Sequence, residues 1–194
     1  MFASRTILFR PQSFNEVLKY TDIRSYLITF VFILLSVAVP WVFHQFQLAG
    51  ATFLPMHIFI LIAGLLFGWK AGLIVGLCTP LASHAVSGMP LLSVLPQIII
   101  ELSVYGLAAG ILREKLNLRA VWSLLGAMLA GRIALLLAIV IIYLVAGTSY
   151  SPLGPEAGPL AAFWSVIKQG WPGIISQLVL IPLIIFIVNK CQNT

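Results

Sequence analysis

The chain has 194 residues, of which 61% are hydrophobic and 8% charged, with a mean hydropathy of +1.08 and a formal net charge of +6. Soluble domains carry about 25% charged and 45–50% apolar residues, so eleven basic and five acidic side chains exclude a water-soluble fold. The apolar stretches are continuous rather than alternating, which excludes a β-barrel. At roughly 20 residues per transmembrane helix, the length fits one all-α membrane domain with room for six or seven spans.

Residues 1–24 are polar and mixed, with no apolar core of a signal peptide, and read as a cytoplasmic N-terminal segment before a membrane domain at 25–190. Six spans are predicted, at about 25–46, 53–67, 71–87, 92–112, 118–146 and 171–188. Gly68-Trp69-Lys70 turns the second into the third, and Gly88-Met89-Pro90 turns the third into the fourth. The fifth is long enough to tilt. The long connection at 147–170, with four glycines and three prolines, reads as an extracellular loop with a short helix near 161–168. A connection of that length in so small a protein is more often functional than idle.

Lysine and arginine placement sets the orientation. With the N-terminus inside, Arg5, Arg10, Lys19, Arg24, Lys70, Arg113, Lys115, Arg119 and Lys190 are cytoplasmic, Lys168 alone is outside, and Arg132 lies within the membrane. Both termini are therefore expected in the cytoplasm. The basic balance is a topology signal, with no nucleic-acid partner implied. Cys78 and Cys191 read as small hydrophobes without metal-like spacing or a disulfide framework. Gly64, Gly68, Gly72 and Gly76 recur every four residues, the spacing at which helices pack closely. No inverted repeat is evident, which disfavours a self-sufficient alternating-access transporter.

At about 1.5 Å per residue, Gln97 lies roughly 8 Å and Glu101 roughly 14 Å below the outer surface, and Arg132 about 20 Å above the inner one. Helical side chains lean toward their own N-terminus, so Glu101 and Arg132 can meet on antiparallel neighbours. A charge in hydrocarbon costs several kcal/mol unless paired or hydrated. Two readings stand side by side: a structural ion pair, or a water-filled pocket that binds a polar solute. Ser93, Gln97, Glu101 and Tyr105 share one helical stripe. His57, His84, Ser176, Gln177 and Trp171 sit at the same outer depth, and Trp41 and His44 end the first span. The inner halves hold little that is comparable, so an outward-open pocket over an apolar floor is expected.

Enzyme chemistry lacks its motifs. There is no H-E-x-x-H pair and no phosphate-cradling loop, no G-x-S-x-G elbow, and the three histidines are scattered singly, against a zinc site. An intramembrane enzyme or a small channel remains the competing class.

The segment from Phe53 to Gly68, containing Pro55-Met56-His57, resembles the substrate-specific S components of energy-coupling factor (ECF) vitamin transporters. So do Lys70-Ala-Gly72, Gly76, Pro80 and Ser87-Gly-Met-Pro90, then Glu101-Leu-Ser-Val-Tyr105-Gly-Leu-Ala-Ala-Gly110. Ala130-Gly-Arg132 and Trp171-Pro-Gly-Ile-Ile-Ser-Gln177 with Pro182 complete a likeness that covers Ala49 to Val188. The resemblance implies a binding subunit for a vitamin or similar micronutrient in a bacterial or archaeal cell membrane. It implies a transmembrane coupling subunit and two cytoplasmic ATPases as partners, which use the ATP, while this chain binds no cofactor. It also implies that the first extracellular loop caps the pocket, and that the subunit topples in the membrane to release its load. Docking through A-x-x-x-A in the first helix is common in such proteins. Here the nearest pattern, Ser36-Val-Ala-Val-Pro40, departs from it, and Gly64 and Gly68 are further candidates.

The expected substrate is a small anionic micronutrient, with Arg132 as its carboxylate or phosphate partner and Glu101 orienting it. Gln97, His57, His84, Gln177, Trp171 and Tyr105 complete the candidate site. The alternative is a metal macrocycle, cobalamin or haem, with His57 or Met56 as axial ligand, for which imidazole and thioether are chemically suited. The charge asymmetry yields a direct test of orientation: cysteines introduced at Gly50 or Pro155 will label from outside, and cysteines at Asn117 or Asn193 will not. The reverse pattern would invert every depth given above.

Overall fold

In the computed structural model, residues 23–45 and 50–192 are described. Seven helices and one hairpin follow in order: α1 (Ile23–Gln45), α2 (Gly50–Phe53), α3 (Pro55–Phe67), α4 (Trp69–Ser87), α5 (Leu95–Glu114), α6 (Ala120–Ala146), β1 (Ser149–Ser151), β2 (Gly154–Glu156) and α7 (Pro159–Gln192). Four of them, α1, α5, α6 and α7, are long and apolar enough to cross a membrane unaided. Helix α3 has 13 residues, about 20 Å at 1.5 Å per residue.

The bundle is inverted relative to a soluble protein. Large apolar side chains such as Phe30, Leu129, Val145 and Phe186 cover the outside, whereas Ser36, Thr79, Ser83, Gln97, Glu101, Ser123 and Gln177 are buried. Lipid accepts an apolar surface but offers no hydrogen bonds, so polar side chains turn inward. Core packing centres on Ile60, Leu61, Leu65, Val75, Leu102, Tyr105 and Leu124.

Glycine sets the spacing of α3, α4 and α5. A Cβ on Gly64 would stand 2.5 Å from the Gly106 carbonyl oxygen, and Cβ atoms on Gly72 and Gly106 would each strike the other's backbone. Gly68, at φ 91°, makes the sharp turn between α3 and α4, and the start of α4 lies where any side chain on Gly110 would go. The Glu114 carboxylate accepts the Trp69 backbone N–H at 3.1 Å, tying this end of α4 to α5.

The candidate docking positions face inward. Ser36 is buried and donates to the Phe32 carbonyl at 2.6 Å; Pro40, Gly64 and Gly68 are buried as well.

Two segments differ from the predicted elements. The connection at 147–170 is a β-hairpin followed by the first turns of α7, which runs unbroken to Gln192 instead of starting at Trp171. Gly170, Pro172 and Gly173 read as a helix break, yet proline is tolerated in membrane helices where neighbours re-satisfy the freed carbonyl. Here Gly173 admits the backbone of Thr52 and Phe53 against α7, within 2.8 Å of where its Cβ would be. At 34 residues, about 51 Å, α7 is longer than the roughly 30 Å hydrocarbon core.

The glycine contacts predict a large asymmetry. Gly106→Ala will destabilise the detergent-purified protein by about 1–3 kcal/mol, because a methyl group has nowhere to go. Leu129→Ala, on the outer face, will change stability by no more than about 0.5 kcal/mol. Thermal melts of the two variants check this.

Candidate functional site

The close approach of α6 to α5 positions the charged centre. Gly131 lies against the Tyr105 ring, with the site of a Cβ only 2.8 Å from ring carbons, so the next residue, Arg132, arrives beside Glu101, one helical turn from Tyr105. Arg132 Nη1 and Glu101 Oε1 are 2.8 Å apart, and their side chains are 12% and 3% exposed. His57, in the first turn of α3 behind Pro55, brings Nε2 to 3.9 Å from the same oxygen. Its ring meets Tyr105 edge-on, with centroids 5.4 Å apart.

The pair is close but poorly aligned. Among the described residues, neither Nη1 nor Oε1 makes a hydrogen bond of good geometry, and Arg132 Nε and Nη2 have no hydrogen-bond partner. Both ring nitrogens of His57 and Gln177 Nε2 are likewise buried without hydrogen bonds to the described residues. Buried polar groups are hydrogen-bonded in the great majority of cases, so a cluster of orphans at one place is a departure that demands a cause.

A cavity of about 230 Å³ adjoins this centre. Its walls are largely apolar, and Gln97, Glu101, His57 and Arg132 supply polar groups, together with Ser83 and Gln169. The roof is the segment around Leu54 and the hairpin tip at Pro152. Leu54 adopts a left-handed backbone conformation, φ 50°, which costs a non-glycine residue about 1–2 kcal/mol. Gln97 Nε2 donates to the Tyr150 carbonyl at 3.1 Å and tethers the hairpin above the cavity.

Of the eight residues expected at the site, Gln97, His57, Glu101 and Arg132 line the cavity. Tyr105 and Gln177 lie buried outside its lining. Trp171 is 58% exposed and lies outside the lining, while His84 Nδ1 is 2.8 Å from the Pro90 carbonyl and orders the α4–α5 connection. Met56 is a lining residue too; the His44 side chain lies outside the described residues. Gln169, Ser83 and Pro152 were missed. Val166, Gln169, Gly173 and Gln177 form a helical stripe that signals the first of them, once α7 is read as continuous.

An apolar-surfaced helical bundle around a polar-centred internal cavity is the architecture of a multi-pass membrane protein. Residues 25–185 match the family described as ECF transporter, substrate-specific component, and the chain belongs to that family. Its members are multi-pass membrane proteins, transporter subunits rather than enzymes, and work with a transmembrane coupling subunit and ATPases. No curated protein and no solved structure matches the chain significantly.

Removing one partner of a buried pair leaves an uncompensated charge, at a cost of about 3–5 kcal/mol. Glu101→Leu and Arg132→Met alone will each lower the melting temperature sharply, and the double variant will recover most of the loss. A double variant no more stable than either single would show that the two charges are not coupled.

Proposed function

We propose that this chain captures a vitamin or related micronutrient in the cavity at Glu101 and Arg132 and delivers it through a coupling subunit and two ATPases. The observation that carries the reading is the set of orphaned donors on Arg132 beside an apolar cavity. Buried unpaired donors call for an explanation, and an acceptor on a bound ligand would supply one. The chain supplies recognition, and the ATP is used by the partners.

In this reading α1, α3, α4, α5, α6 and α7 are six spans, both termini are cytoplasmic, and the cavity opens outward in a bacterial or archaeal cell membrane. Charge placement supports it. Lys70, Arg113, Lys115 and Arg119 gather at the α3–α4 and α5–α6 turns, at the end of the bundle opposite the hairpin, and basic residues favour the cytoplasmic side. Lys70 and Lys115 both lie over the Trp69 ring, at 5.7 and 5.3 Å, an arrangement suited to the inner interface.

Cavity size favours a small ligand over a macrocycle. At about 230 Å³ the cavity lies below the roughly 300–1,000 Å³ of pockets for drug-sized ligands, and His57 is turned toward Glu101. The purified chain in proteoliposomes will bind its substrate but will neither hydrolyse ATP nor accumulate substrate. ATP-driven accumulation by this chain alone would refute the division of labour.

A further inference from the structure

The sequence alone points to an anionic substrate on Arg132, but the arginine already has its counter-charge. Glu101 Oε1 stands 2.8 Å from Nη1, and among the described residues no other lysine, arginine, aspartate or glutamate lines the cavity. The remaining titratable group there is His57, which faces Glu101 and Tyr105 of α5. The wall is otherwise built from proline, leucine, methionine, valine and isoleucine, with Ser83, Gln97 and Gln169 as neutral polar groups. Gln97 is committed to the Tyr150 carbonyl. Arg132 Nε and Nη2 have no hydrogen-bond partner among the described residues, and a guanidinium only donates, so what they call for is an acceptor on the ligand.

We propose that the cavity binds an uncharged carbonyl compound, an amide or lactam on a compact apolar body, whose oxygen accepts from the free edge of Arg132 while Glu101 remains paired to it. A carboxylate ligand would satisfy the same donors. It would also leave two carboxylates to share one guanidinium inside apolar walls, and an uncompensated buried charge is heavily penalised. A neutral carbonyl satisfies the orphans and adds no charge. The apolar remainder of the ligand then meets the leucine, proline and methionine walls, where burial of apolar surface is favourable.

The proposal rests on the cavity being the substrate site, and one experiment separates the two. Thermal shifts of the full-length purified protein are measured with matched probes differing only in charge: benzamide against benzoate, and cyclohexanecarboxamide against cyclohexanecarboxylate. The amides are expected to stabilise at concentrations at least tenfold lower than the acids. Glu101→Gln, which leaves the Arg132 charge unbalanced, is expected to reverse that order. Wild-type preference for the acids, equal response to both, or no response to either amide overturns the neutral-carbonyl assignment. Binding of an acid that disappears in Arg132→Met would leave the site standing with the wrong ligand class. Amide binding that survives Arg132→Met would place the ligand elsewhere, and the site itself would fall.

Discussion

A carboxylate and a guanidinium held 2.8 Å apart, inside a bundle whose outer surface is hydrocarbon, constrain the rest of this molecule. Neither charge is tolerable alone at that depth, so α5 and α6 must stay in register to keep them together. Glycines enforce that register. Gly131 lets α6 close on Tyr105, and Gly64, Gly72 and Gly106 bring three helices to backbone contact on the other side of α5. The pair is thus a consequence of helix spacing that larger residues would forbid.

The centre is incompletely satisfied: among the described residues, Arg132 Nε and Nη2 have no hydrogen-bond partner. The roof is built differently. It consists of a short hairpin, a left-handed Leu54 and the start of α7, joined to the floor in part by the Gln97 tether.

Much of this was legible in the sequence. Hydrophobic run lengths located α1, α3, α4, α5 and α6 to within a few residues, and side-chain lean brought Glu101 and Arg132 together. The errors share a cause. Gly170, Pro172 and Gly173 are breakers in water, and the sequence around them reads as a loop, but in α7 the glycine at 173 is a contact point for Thr52 and Phe53. Reading the break there hid Gln169. Trp171 drew attention as an aromatic near the outer surface, yet helical phase turns it outward, where an amphipathic ring suits the interface. The small residues of α1 and α3 were legible as close-packing positions, but spacing alone does not say whether the neighbour is another helix of the same chain.

If the cavity beside Glu101 and Arg132 holds the substrate, an experimental structure of the chain isolated from its own membrane with the ligand it carries will show it there. Ligand density is expected beneath the hairpin tip at Pro152, within hydrogen-bond distance of Arg132 Nε or Nη2, with the Glu101–Arg132 pair intact. A ligand seated elsewhere, with this cavity empty, would contradict it.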